Sequence, residues 1–299
     1  MGIFRNIKES LVHYTWDLAY FEYNSEIITH GVDFRKIHIV KNPYNKKWFA
    51  DPFILRDTER ELALLVEEFD STVKRGRIAL VVIDKTKDLI ISCDIILDLP
   101  THLSFPVIYR IDDKVIVHPE NSASGASYMY EFDESLNKLD NPVKVLNEPI
   151  TDAVIIRKED EYKMFATRVP ESNGCNLRMY VAKEFMGPYS AKDVEEYPHC
   201  RARMAGQFVT NNGKVIRPAQ DCEGAYGKAV IFYDDHKELG EIRPSTYKYA
   251  GVHTFNKLNN TCIIDIKRFD YPLFVYLKDK IKVRGEKRCV SKFGRSENI

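Results

Sequence analysis

The stretch DPFILRDTERELALLVEEF (51–69) decides the fold: a small polar opening, a short apolar strand, a charged turn, and a second apolar strand ending on acids. The same plan returns in FPVIYRIDDKVIVHPEN (105–121), DAVIIRKEDEYKMFATR (152–168), AGQFVTNNGKVIRPAQD (205–221) and HTFNKLNNTCIIDIKR (253–268). A self-similar unit that recurs about every 50 residues is the mark of a propeller. The turns Asp112-Asp113, Asn211-Asn212-Gly213 and Asn259-Asn260 suit hairpins, because these residues tolerate the positive φ of tight turns. The spacers hold further strand candidates at 77–83, 127–132, 177–182 and 229–233, enough for two inner and one or two outer strands per unit. The expected fold is all-β, a five-bladed β-propeller over 45–285. A 1–44 extension (a short helix near 3–12 and a leading strand) precedes it, and a basic tail, 286–299, follows. Unrelated hairpins in a β-sandwich are the competing architecture.

In a hairpin the start of the first strand and the end of the second share one edge. Five inner hairpins therefore bring Asp51, Pro106, Asp152, Gly206 and His253 to one mouth of the central channel. Glu67 or Glu68, Glu120, Arg168, Asp221 and Arg268 join them from the strand ends. Trp48, His102, Ser104, Asn121, Arg201, Arg203, Arg217 and Gln220 lie close by in sequence. Such a ring is costly to bury unless it binds something. Carboxylates, amides and aromatics suit sugar hydroxyls and ring faces, while guanidinium forks suit phosphate or carboxylate. We expect catalytic carboxylates among Asp51, Glu120, Asp152 and Asp221. Substrate contacts are expected from Trp48, Glu68, His102, Asn121, Arg168, Arg203, Arg217, Gln220, His253 and Arg268.

Lys+Arg and Asp+Glu each number 44 in the 299 residues, which removes the electrostatic case for nucleic acid. The excess basic residues at the C-terminal end (Lys278, Lys280, Lys282, Arg284, Lys287, Arg288, Lys292 and Arg295) offer peripheral contact with an anionic membrane face. The six cysteines show no metal-type spacing, and the N-terminus lacks a signal-peptide core, which reads as a reduced, cytoplasmic setting. No cofactor is demanded; oxygen-rich ligands around the channel would admit a divalent cation. No Gly-rich loop opens a helix.

The run WFADPF (48–53) resembles the Asp-Pro opening of furanosidase-like five-bladed glycoside hydrolases. EEF (67–69), HLSFPV (102–107), PEN (119–121), TDAV (151–154), RMAGQ (203–207), IRPAQD (216–221), YG (226–227), GVHTFN (251–256) and IDIKRFD (264–270) complete a closer resemblance. That resemblance is to the propeller domain at the N-terminus of glucosamine inositolphosphorylceramide transferases and its bacterial relatives. The hydrolase resemblance implies Asp51 as base or nucleophile and Asp152 as the group that tunes pKa. Where the acid would open its blade the chain reads Met204-Ala205-Gly206-Gln207, without a carboxylate. A hydrolase needs a protonated acid to expel an alcohol, whereas a diphosphate leaves without one. Three readings follow. The first is a glycosyltransferase of cell-surface polysaccharide biosynthesis, using a nucleotide-sugar or lipid-phosphate-sugar. The second is a glycoside hydrolase or phosphorylase in which Glu120 or Asp221 replaces the acid. The third is a non-catalytic glycan-binding propeller.

Overall fold

A computed structural model describes residues 13–244 and 248–270. The expected helix near 3–12 and the basic tail lie outside the described residues. Strand β1 (His13–Glu22), the single helical turn α1 (Ile27–His30) and β2 (His38–Ile39) come first in the chain. Four consecutive four-stranded antiparallel sheets follow. Blade 1 is β3 (Lys47–Asp57), β4 (Glu61–Asp70), β5 (Gly76–Asp84) and β6 (Leu89–Leu97). Blade 2 is β7 (Ser104–Ile111), β8 (Lys114–Glu120), β9 (Ser127–Asp133) and β10 (Lys138–Leu146). Blade 3 is β11 (Ile150–Lys158), β12 (Glu161–Arg168), β13 (Asn176–Ala182) and β14 (Ser190–Glu196). Blade 4 is β15 (Val209–Asn211), β16 (Lys214–Asp221), β17 (Ala229–Asp234) and β18 (Lys237–Ile242).

Blade 5 joins both ends of the chain. β19 (Tyr249–Gly251), β20 (Phe255–Leu258) and β21 (Thr261–Asp270) form its inner part, and the sheet continues outward through β1 to β2. The N-terminal strand therefore belongs to the propeller and closes the ring. The compact unit runs from Trp16 to Lys267. Pairing of β1 with β21 builds blade 5 from sequence-distant segments, and a propeller of this kind keeps only short, protected sheet edges. A second unit comprises 1–15 and 268–299, of which 13–15 and 268–270 are described.

Burial explains the strand sequences. Inner strands are covered on both faces, so Leu62, Leu64, Leu65 and Val66 of β4 have no exposed surface and read as one apolar run. The outermost strand of blade 3, SAKDVEE, is almost wholly exposed. Three apolar clusters fill the spaces between blades. The one uniting Leu18, Tyr20 and Val40 with Phe49, Leu64 and Ile263 seals blade 5 against blade 1. No helix among the described residues is long and apolar enough to cross a membrane.

Each of blades 1 to 3 carries a bulge at one place on its innermost strand, between Ala50 and Phe53, Ser104 and Val107, and Thr151 and Val154. The bulged residues Asp51, Phe105 and Asp152 hold φ of 49°, 46° and 49°, in the left-handed region. A bulge re-aims a side chain and stores strain that the surroundings must hold. Blade 4 places Gly206, at φ 146°, at the corresponding opening. Phe105 is thus the blade 2 counterpart of Asp51, one residue before the Pro106 expected there.

Candidate functional site

The two aspartates turned inward by these bulges stand in different company. Asp51 is 4% exposed. Its Oδ1 accepts a hydrogen bond from the Thr254 hydroxyl at 2.6 Å, its Oδ2 one from the Phe105 N–H at 3.2 Å, and His253 Nε2 lies 3.4 Å from Oδ1. Behind them Asp265, fully buried, accepts the backbone N–H of Asp51 at 2.9 Å and those of His253 and Thr254 at 3.0 Å each. Its Oδ2 also lies 2.7 Å from His253 Nδ1, an ion-pair contact whose angle falls short of a hydrogen bond. Trp16 stacks on the His253 ring at 4.0 Å and fixes its plane. Asp265 was not among the expected site residues. Its signal is a lone acid inside the apolar run Thr261–Ile266, where an unpaired charge could not persist.

Burial alone would keep His253 neutral, but Asp265 and then Asp51 push it up to about 9. Burial also raises the Asp51 carboxyl; His253 opposes this and Asp152 reinforces it, leaving Asp51 at about 7. Asp51, His253 and Asp265 have side-chain atoms within 4.8 Å of one another, the spacing of a small cation site. Asp265 already accepts three N–H groups, and the His253 ring stands in contact with both carboxylates.

Both shifts point upward, so the folded pair keeps protons that the unfolded chain releases near pH 4 and 6.5. Its contribution to stability is present at low pH and is lost as pH rises through about 7 and then 9. The melting temperature is expected to fall between pH 6 and 9.5, and calorimetry of wild type and His253→Gln checks this. A wild-type melting temperature flat across that window would remove the ion-paired imidazolium.

Asp152 is held instead by a fork. Arg203 Nε and Nη2 donate to its two oxygens at 2.6 and 3.1 Å, and Gln220 Nε2 adds a third bond at 2.7 Å. Arg203 also donates to Asn173 at 2.8 Å, and Glu120 Oε2 approaches it at 4.0 Å. Glu120 accepts from the Ser104 hydroxyl and the Ser122 N–H. Over this group stands Tyr226, its ring 5.2 Å from His253 and 5.3 Å from the Arg203 guanidinium, and 37% exposed at the mouth. Burial raises its hydroxyl well above the ordinary value against the pull of Arg203, and Asp51, Asp152 and Glu67 add to the rise. Tyr226 thus joins the cluster although sequence reasoning passed over it.

Beyond the bulges, amides link the blades: Gln207 Nε2 donates to the Ile108 carbonyl of blade 2, Asn256 Nδ2 donates to the Pro52 carbonyl of blade 1, and the Gln207 N–H donates to Asn256 Oδ1.

Three expected site residues sit one position past the residue that faces the channel. Glu67 pairs with His102 at 3.2 Å near the mouth, whereas Glu68 is fully buried against Lys47 and Arg77. Thr167, near the end of β12, is fully buried, whereas Arg168 turns outward to Glu148 at 3.4 Å. Gln220 reaches Asp152, whereas Asp221 is held by Arg243 at 3.0 Å, Lys228 at 3.2 Å and Arg201 at 3.7 Å. Burial would raise the Asp221 carboxyl, but the Glu223 N–H, Arg243 and Lys228 outweigh it and hold it below its ordinary value. A one-residue slip carries a side chain to the other face of a strand, so Glu68, Arg168 and Asp221 leave the funnel. Arg217 is also a structural group: it donates to the carbonyls of Ala202 and Arg201 and lies 3.8 Å over Tyr197 and 4.9 Å over Tyr233. Asn121, one past Glu120, is buried, and its Oδ1 finds no partner among the described residues. Trp48 stacks on Phe69 at 4.7 Å. Arg268 belongs to the second unit.

A sequence model described as glucosamine inositolphosphorylceramide transferase 1, N-terminal, matches residues 36–254. Glucosamine inositolphosphorylceramide transferase 1 of Oryza sativa subsp. japonica is 24% identical over 168 residues, 53% of this chain and 22% of that protein. The protein of subsp. indica matches equally, so the chain spans about a fifth of the length of these relatives. Among solved structures, a GH43 β-1,3-galactosidase with galactodeoxynojirimycin aligns at TM-score 0.51 and 9% identity, over 71% of this chain and 83% of that one, a likeness of fold.

Proposed function

From a chain that belongs to the family of the glucosamine inositolphosphorylceramide transferase 1 N-terminal domain, we propose an enzyme of glycan biosynthesis that transfers a sugar from an activated donor, with Asp51 as general base. The observation that carries this reading is an unequal funnel. A carboxylate stands beside the His253 imidazole, the blade 4 position where a hydrolase would carry its acid has no carboxylate, and Glu120 is engaged by the Ser104 hydroxyl and the Ser122 N–H. Asp152 is committed to Arg203 and Gln220, Asp221 to three cations, and Gly206 bears no side chain. Base without acid suits attack by an acceptor hydroxyl on a donor whose leaving group departs as an anion.

The steps assigned to the residues are few. Thr254 and the Phe105 N–H fix the Asp51 carboxylate, which takes the proton of the acceptor hydroxyl. His253, held by Asp265 and stacked on Trp16, keeps positive charge beside that carboxylate. Tyr226 and Glu120 offer a hydroxyl donor and a carboxylate acceptor to the sugar. Because Asp51 must be ionised to act, turnover rises with pH through about 7 while stability falls.

Purified protein incubated with a panel of nucleotide sugars and sugar acceptors, followed by mass spectrometry, tests the proposal. Turnover is expected and Asp51→Asn lowers it at least about 100-fold. Turnover indifferent to Asp51→Asn would remove the assigned base. A second reading is favoured by the commitment of Arg203 and Asp152 to one another: a sugar-binding propeller, which would return its ligand unchanged after long incubation.

A further inference from the structure

The turned-out Arg168 has a place of its own. It lines a cavity of about 240 Å³ on blade 3 together with Val169, Pro170, Glu171, Asn176 and Arg178. Strand register explains the pairing of the two arginines. Ala166 of β12 lies directly opposite Arg178 of β13. Arg168, two residues on, shares the face of Ala166 and is the diagonal neighbour of Arg178, a separation that long side chains span. Two guanidiniums on one face repel, and the carboxylates beside them are Glu148 and the Glu171 of the lining. Arg168 has Glu148 at 3.4 Å, and Arg178 has no ion pair with any described residue.

We propose that this cavity is a subsite for a phosphorylated sugar, the two guanidiniums taking the phosphate and Glu171 with Asn176 taking hydroxyls of the attached ring. Arginine forks match phosphate oxygens, and a carboxylate with an amide matches sugar hydroxyls. The volume equals about eight waters at ~30 Å³ each, enough for the phosphate and part of one ring. The cavity is tied to the funnel by one connection. The Thr167 hydroxyl donates to the Ser172 carbonyl at 2.7 Å, and Asn173 accepts from Arg203, the residue that forks Asp152. A phosphate seated between Arg168 and Arg178 is therefore held by the segment that also positions Arg203. The subsite deepens the transfer reading and rests on it for its biological sense, although its binding is measured independently.

The test is calorimetry on the full chain with a sugar 1-phosphate, the same sugar without phosphate, and inorganic phosphate. Wild type is expected to bind the sugar 1-phosphate, with Arg178→Ala and Arg168→Gln each weakening it at least about 10-fold, and Arg178→Lys falling between because a point charge lacks the fork. Melting curves of the variants verify folding. A nucleotide sugar and a short-chain prenyl-phosphate sugar separate the two donor sources, the tighter and Arg178-dependent one being the native class. Binding unchanged in both arginine variants, or no binding by wild type, overturns the subsite. Arg178-dependent binding without any sugar transfer keeps the subsite and removes the transfer reading. Transfer with an unchanged donor KM in Arg178→Ala does the reverse.

Discussion

Asp265→Asn is expected to cost about 3–5 kcal/mol of folding stability, although it changes one oxygen to nitrogen on a residue that never meets solvent. Oδ1 accepts the N–H groups of His253 and Thr254, and Oδ2 accepts that of Asp51. An amide can present its oxygen to only one of these sides, so its NH₂ must face a backbone donor on the other. The buried His253 imidazolium also loses its nearer carboxylate. Breaking a buried pair from one side leaves the remaining charge uncompensated, which is the costly direction. The Asp51 backbone, at φ 49°, is held in the left-handed region by that same N–H bond, so strain released with it offsets only part of the loss. Urea denaturation should show a fall in midpoint without a change in slope. His253, followed by NMR, should lose its proton at lower pH than in wild type. A stability loss under about 1 kcal/mol would mean that Asp265 is not the anchor of the site.

The fold was legible because a blade repeats. Five copies of one hairpin pattern advertise themselves over the whole chain, and each turn carries its own chemistry in Asn, Asp and Gly. What the repeat could not show was ring closure. β1 completes blade 5 from the opposite end of the chain, and pairing between distant segments leaves no local signature. As a grouping of side chains, the candidate cluster was legible to within one residue. Asp51, Asp152, Glu120, Arg203, Gln220, His102 and His253 do converge on the funnel or its mouth. Glu68, Arg168 and Asp221 miss it because a strand reverses its face with every residue, so a position counted one residue too far along a strand end points away. The arginine-rich rim dissolves for a related reason. Most of those cations already have carboxylates in neighbouring strands, which sequence spacing cannot reveal.

Gly206→Glu, the substitution that would supply the acid of a hydrolase, is expected to abolish folding instead. A Cβ at residue 206 would stand 2.0 Å from the Phe255 carbonyl oxygen and 2.8 Å from Asn256 Oδ1, and φ there is +146°. Backbone, not a flexible side-chain tip, blocks the position, so even Gly206→Ala should lose more than about 4 kcal/mol, through clash and strain together. Thermal unfolding of the alanine variant measures this. A melting temperature within a few degrees of wild type would show that the blade 4 opening has room for a side chain. Gln207→Glu should behave differently. It would turn a carboxylate toward the Ile108 carbonyl in place of the Gln207 amide bond and cost about 1–3 kcal/mol, leaving a folded protein. Its new acid would lie among the amides that join blade 4 to blade 2, bonded away from Asp51, and no glycoside hydrolysis should appear. The absent acid is therefore a property of the backbone at blade 4 rather than of one replaced side chain. On the proposed reading, chemistry in this funnel proceeds from the base side, where Asp51, His253 and Asp265 stand.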